Sequence, residues 1–111
     1  MKPLNFVVCA ALCAIVLSAA PAKRKLTGVI TDAMCANADH SHMKMGPTDA
    51  ACTMACVMEH GAEFVLYDGK EAWTLSDQKT PEKFAGMKVT VTGAPDAKTH
   101  KIQVDSISAA K

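Results

Sequence analysis

Apolar and polar side chains alternate in five short runs of the chain, which read LTGVITD, EFVLY, EAWTL, MKVTVTG and HKIQVDSI. Alternation of this kind places successive side chains on opposite faces of a β-strand, so that one face is buried and the other is exposed to solvent. We therefore predict five strands. The inward residues predicted for the last two strands are Val89, Val91, Ile102 and Val104.

Turn-forming residues separate these runs. The pair Asp68–Gly69 accepts positive φ and predicts a hairpin between the second and third strands, and APDAK at 94–98 predicts a turn between the last two. Pro81 and Gly86 bracket a short helix or turn, and Gly93 predicts a bulge or a sharp bend. Because five strands in so short a chain protect their edges by curling, we predict a β-barrel of OB-like form.

One helix is predicted after the first strand. Thr48 or Asp49 caps its start, it runs to about His60, and Gly61 ends it in the left-handed conformation. Alanine and methionine recur along it at helical spacing, which predicts an apolar face toward the core. The residues of this face are Ala51, Met54, Ala55 and Met58. The predicted fold class is mainly β with one helix after strand 1, a small α+β domain by content.

The stretch CTMACVMEH places Cys52, Cys56 and His60 four residues apart, on the other face of this helix. Since a helix turns by about 100° per residue, side chains at this spacing lie side by side. We expect the segment 33–47, which has no periodic pattern, to cover them. Its candidate ligands are Cys35, His40, His42, Met43 and Met45.

The N-terminal stretch has the features of an export signal. Lys2 supplies a positive charge, residues 6–17 form an apolar run too short to span a bilayer, and small residues suit cleavage after Ala22. We therefore predict a signal peptide over 1–22, a single domain over 23–111, and a periplasmic or secreted location. An uncleaved N-terminal anchor is the alternative.

The charge of the chain argues against nucleic acid as a partner. The sequence has 12 basic and 11 acidic residues, and removal of Lys2 with the signal leaves the two balanced. Because neutralisation of phosphates supplies most nucleic-acid affinity, a neutral domain binds nucleic acid poorly. No later apolar stretch is long enough for a membrane helix, so no membrane span is expected after cleavage.

Three cysteines remain beyond the signal, and three is an odd number for disulfides in an oxidising compartment. A metal site uses all of them, since Cys35, Cys52 and Cys56 with His40 or His42 form a tetrahedral Cys3His set. The predicted ion is Cu(I) or Zn(II), and nearby thioether sulfurs favour Cu(I). Weaker candidate ligands are Met43, Met45 and His60.

Two other interpretations stay open. A disulfide from Cys35 to the helix would close a loop of about twenty residues and stabilise the domain by roughly 3 kcal/mol. The domain would then be a structural or interaction module that binds an envelope protein or a peptide. A thiol redox enzyme is the third interpretation, but C-x3-C is not the C-x-x-C of such enzymes, so we expect no catalytic activity.

Five stretches together resemble a family of small exported bacterial domains with an OB-like barrel and uncharacterised function: GVITDAMC, CTMACVMEHGAEFVLYDG, AWTLSDQ, KFAGMKVTVTG and KIQVDSI. The most specific parts are G-x-I-x-D-x-x-C, the C-x3-C before Gly61, and AG-x-x-V-x-V-x-G. The resemblance covers nearly all of 26–107, implies the barrel, and places Cys35, Cys52 and Cys56 in the motif positions; it implies no substrate. The architecture is also similar to periplasmic copper-chaperone OB barrels, whose ligand motif is not matched here.

Overall fold

The computed structural model describes residues 21–111, so the predicted signal peptide lies almost wholly outside the described residues. In chain order the elements are β1 (Arg24–Asp32), a 3₁₀ turn (Ala33–Cys35), α1 (Asp49–His60), β2 (Phe64–Tyr67), β3 (Ala72–Leu75), a second 3₁₀ turn (Thr80–Phe84), β4 (Lys88–Asp96) and β5 (Lys101–Ala109). Within residues 21–111, no helix combines the length and the apolar character needed to cross a membrane.

The five strands close into a ring, here called the barrel, in the order β1-β2-β3-β5-β4. Neighbouring strands are antiparallel except β3 and β5, which run parallel. Closure removes the exposed sheet edges that a five-stranded open sheet would present to other chains. The prediction of a mainly β, OB-like barrel with one helix after strand 1 is confirmed.

Gly93 bends β4, as predicted. The register against β5 shifts between Thr92 and Gly93, and a Cβ at Gly93 would collide with the carbonyl oxygen of Gln103. The predicted position of the following turn is wrong, because β4 continues to Asp96, which pairs with Lys101. Beyond the bulge, residues 94–96 remain paired with β5. The turn between β4 and β5 therefore lies at 97–100 instead of the predicted 94–98.

Alternate residues of the strands fill the barrel interior, and their removal from water is the main force that holds the ring together. This core consists of Leu26, Ile30, Phe64, Leu66, Trp73, Leu75, Ala85, Val89, Val91 and Ile102. Val89, Val91 and Ile102 are fully buried, as predicted, and Val104 packs against the same core while partly exposed. None of the three cysteines within residues 21–111 belongs to this cluster.

Helix α1 buries a different face from the predicted one. Cys52, Thr53 and Cys56 are fully buried, whereas Met58 is 70% exposed. Met54 is only partly buried against the core. The preceding loop covers the cysteine side, as predicted, since Met43 and Met45 hydrogen-bond to Cys52. A thiol is small and apolar enough to accept this burial, so the cysteine side is buried more completely than the predicted alanine–methionine face.

Candidate metal centre

The end of β1 holds Cys35 in place. Asp32 Oδ1 accepts hydrogen bonds from the backbone N–H groups of Met34 and Cys35, each 3.0 Å long. The Thr31 hydroxyl donates to the carbonyl oxygen of Cys35 at 2.8 Å. A short polar side chain at the start of a helical turn commonly satisfies such amides. Cys35 is therefore tied to the barrel through both its amide and its carbonyl.

Helix α1 positions Cys52 and Cys56, which stand one turn apart. Thr48 caps its start, because the Thr48 hydroxyl oxygen accepts from the N–H of Ala51 at 3.1 Å. Gly61 ends the helix at φ +67°, in the left-handed region that favours glycine. Both predicted helix ends are confirmed, and the two cysteines sit on one rigid support.

The loop between β1 and α1 brings in His40. The Asn37 side chain accepts from the N–H of Asp39 at 3.1 Å, and the Asp39 carboxylate accepts from the N–H of Ser41 at 3.0 Å. These hydrogen bonds from Ser41 lower the pKa of the Asp39 carboxyl below its ordinary value. The loop thus folds back on itself around the His40 ring, which is only 8% exposed.

Cys35, His40 and Cys52 come together although three different segments carry them. Their ligand atoms, two sulfurs and one imidazole nitrogen, all lie within 4.8 Å of one another, and all three residues are buried. Sulfur and nitrogen ligands bound to one tetrahedral zinc ion lie roughly 3.5–3.8 Å apart. A closure of about 1 Å or less would therefore let the group hold an ion of this size.

Two hydrogen bonds orient the Cys52 thiol toward the loop. Its Sγ donates to the carbonyl oxygen of Met43 at 2.9 Å and accepts from the N–H of Met45 at 3.4 Å. If Cys52 bound a metal as thiolate, the first bond would be lost with the proton, whereas the N–H of Met45 could still donate to the sulfur.

Polar atoms without a hydrogen-bond partner concentrate at this place. Among the buried side chains of residues 21–111, such atoms are Asp32 Oδ2, His40 Nδ1 and Thr53 Oγ1. An unsatisfied buried polar group costs about 1–3 kcal/mol. A metal ion bound at His40 Nδ1 would give this atom a partner and offset its cost. The unpartnered nitrogen is therefore consistent with His40 acting as a metal ligand.

The thiols share a buried, negatively charged environment. Burial, the Asp32 carboxylate and the neighbouring Cys52 raise the pKa of Cys35. The same causes raise the pKa of Cys56 from its ordinary 9.0 to about 12, with Cys35 adding to them. Without a cation, both groups are therefore neutral thiols at neutral pH, and a metal must displace protons to bind thiolates here.

The other predicted ligands lie outside the three-residue group. Cys56 is buried one helical turn from Cys52, but its sulfur is not within 4.8 Å of all three ligand atoms. His42 and His60 are exposed, and Met43, 37% exposed, contacts Cys52 through its backbone carbonyl. Met45 is half-buried. The three cysteines of residues 21–111 are free thiols.

A surface pocket of about 510 Å³ leads to the group. Two of the three ligand residues, His40 and Cys52, form part of its wall, whereas Cys35 does not. Charged residues from both sides of the opening, Asp39, Lys44 and Asp49, complete the polar part of the wall. The group is therefore buried but reachable from solvent on one side.

Asp32 is the residue that sequence reasoning missed. It is fully buried, organises the turn that carries Cys35 and raises the pKa of two thiols. The sequence feature that could have identified it is its position three residues before Cys35. An N-cap aspartate commonly accepts a hydrogen bond from the amide three residues later. Asp32 stands in the motif G-x-I-x-D-x-x-C at the end of the first predicted strand, where the sequence pattern predicts no role for it at the site.

Comparison of the chain with models of known protein families, with curated proteins and with solved structures found no match. The functional conclusion therefore rests on the chemistry and geometry of the residues themselves. Those residues place two thiols and one imidazole together in a buried setting, and sulfur with imidazole nitrogen is a donor set for a soft or borderline metal ion.

Proposed function

We propose that this protein is an exported binding module that holds one Cu(I) or Zn(II) ion through Cys35, His40 and Cys52. The observation that carries the proposal is the mutual approach of these three ligand atoms to within 4.8 Å in a buried place. Thiolate and imidazole are the ligands that both ions prefer in proteins. The module would carry the ion, sense it or use it to stabilise its fold. None of these roles needs a catalytic step.

Charge supports a site of two thiolates and one histidine. Two thiolates and a neutral imidazole cancel the charge of Zn(II), and they leave one negative charge around Cu(I). Both sums are small, which matters because an uncompensated charge in the interior is costly. A third thiolate from the buried Cys56 would add negative charge in the interior beside Asp32, where burial and this carboxylate already raise the pKa of Cys56.

Export is proposed from the sequence alone. Lys2, the apolar run at 6–17 and the small residues before Lys23 have the order of a cleavable signal. A bound metal would suit the predicted periplasmic or secreted location, since coordination ties up sulfur electron pairs that oxidants attack. The family resemblance carried by the cysteine motifs agrees with this proposal.

The two histidines of the loop provide a matched test. His40→Ala removes a buried ligand, and His42→Ala removes an exposed histidine two residues away. We expect protein purified under reducing, anaerobic conditions to bind one equivalent of Zn(II) or Cu(I). Competition with a chromogenic chelator should show affinity lowered at least tenfold in His40→Ala and unchanged in His42→Ala. Equal affinity of the two variants would contradict the proposed ligand set.

The disulfide interpretation also has an observation in its favour, because the Cys35 and Cys52 sulfurs are close. In that case the domain binds an envelope protein or peptide and holds no metal. Thiol titration of denatured, unreduced protein after chelation distinguishes the two functions. Three titratable thiols agree with the metal site, and one thiol agrees with a disulfide formed in the mature protein.

A further inference from the structure

A metal ion held by Cys35, His40 and Cys52 would have one coordination position left open. The pocket lies on one side of this group, and the buried Asp32 lies on the other. This inference rests on the proposed metal site. Zinc bound by three protein ligands completes a tetrahedron with a fourth, external group. His40 and Cys52 line the 510 Å³ pocket, so the metal held between them faces that space. Away from the pocket stands Asp32, with an unpartnered carboxylate oxygen.

The inner side is a poor place for the fourth ligand. Cys56 is fully buried, does not line the pocket, and is not among the ligand atoms that lie within 4.8 Å of one another. The fully buried Asp32 carboxylate is next to this group, since its Oδ1 accepts a hydrogen bond from the Cys35 N–H at 3.0 Å. A third thiolate on this side would place like charges together in the interior, which is costly.

The pocket side carries groups that fit a particular kind of ligand. Lys44 presents a positive charge, Asp39 and Asp49 present negative charges, and Ser41 and Thr48 present hydroxyls. A volume of about 510 Å³ is in the range of small-molecule sites. Mixed charges around an open metal position match a molecule that bears an ammonium group, a carboxylate and a sulfur.

We infer that the pocket binds a small zwitterionic thiol of the cysteine class, whose sulfur becomes the fourth ligand of the metal. The thiol loses its proton to solvent, the metal–sulfur bond forms, and the water that held the position leaves; nothing is oxidised or reduced. The carboxylate of the ligand pairs with Lys44, and its ammonium group pairs with Asp39 or Asp49. The module would thus take up or release its ion together with a small thiol.

X-ray absorption of the zinc-loaded full domain tests this inference with L-cysteine as the probe. We expect two sulfur neighbours without the probe and three with it. S-methyl-L-cysteine has the same charges but no thiol, and it should leave the count at two. Lys44→Ala should bind zinc normally but require about two- to fivefold more L-cysteine, as loss of one exposed ion pair predicts. Lys70→Ala, an exposed lysine on the β2–β3 turn, should behave as wild type.

The outcomes separate this inference from the proposed function. If zinc shows three sulfur neighbours without the probe and Cys56→Ser removes one, the metal site stands and the external ligand is refuted. If L-cysteine adds no sulfur, or if S-methyl-L-cysteine acts equally, the inference is also refuted. If no zinc binds at all, the proposed function itself fails.

Discussion

At the scale of single residues, Asp32 is the group on which the site depends most. One carboxylate oxygen holds the Cys35 turn, while the other has no partner. The carboxylate also raises the pKa of Cys35 and Cys56. Burial is the larger cause of both pKa shifts, and the carboxylate adds to it.

Replacing Asp32 by Asn should separate these two roles. The amide oxygen can still accept the turn hydrogen bonds, but the negative charge is gone. Because that charge raises the thiol pKa values, we expect the pKa of Cys35 and Cys56 to fall toward 9.0 while staying above it, since burial remains. Thiolate absorbance followed during pH titration of the metal-free protein measures this change.

Asp77→Asn is the matched control, because Asp77 Oδ1 accepts hydrogen bonds from the N–H groups of Lys79 and Thr80 in the same way. None of the cysteine pKa shifts involves Asp77. The control should leave the thiol titration unchanged. An unchanged titration in Asp32→Asn as well would contradict the charge role assigned to Asp32.

At the scale of elements, the site is a junction between the end of β1, the following loop and helix α1. The loop is held by its own turns and by its contacts with Cys52. Gly46 lies against the first turn of α1, where an added Cβ would come to 2.7 Å from the Ala51 Cβ. The distance from His40 to Cys52 thus depends on a close approach between loop and helix.

Gly46→Ala should push the loop away from α1. The added methyl group meets the Cβ and the backbone of Ala51, which a rigid helix cannot move easily. We expect about tenfold weaker zinc binding with little change in the thermal unfolding of the barrel. Gly69→Ala is the control: it adds strain at φ +99° but meets nothing within 4 Å, so its stability falls slightly while zinc affinity stays normal. Normal zinc affinity in Gly46→Ala would contradict the loop–helix dependence.

At the scale of the whole molecule, the metal centre and the barrel core are separate clusters. The ten core residues include no cysteine, and the site lies among β1, the loop and α1. The barrel should therefore fold without metal, and the ion should add stability through binding to the folded state only. This differs from small zinc domains that are unfolded without their ion.

The stability of the metal-free protein should depend on pH in the alkaline range. The folded pKa of Cys56 is raised to about 12 from 9.0, so the folded state favours the protonated thiol. This contribution is fully present below about pH 9, and it is lost as pH rises toward 12. Urea unfolding at a series of pH values should show the decline, and Cys56→Ala should show a smaller one. Stability that rose between pH 9 and 12 would contradict the buried-thiol environment.

The strands and the ends of the helix could be predicted from local sequence because they depend on neighbours in the chain. Alternation defined the burial of Val89 and Val91, Gly61 ended α1 as expected, and Gly93 marked the bulge. The cysteines, histidines and methionines of the site region were also recognisable by residue type. Which of them lie close enough to share one ion could not be predicted, because spacing along the chain does not measure the distance between a loop and a helix.

By itself, the sequence determined the barrel, the helix and a short list of soft ligands, since periodicity and residue chemistry are local properties. Only the tertiary structure decided that the cysteine side of α1, rather than its alanine–methionine side, is fully buried and that His40 rather than His42 is buried beside Cys35 and Cys52. It also revealed the buried Asp32 among the thiols. The physical reason is that burial and the approach of ligand atoms depend on how the loop folds against the helix, and this arises from contacts between distant parts of the chain.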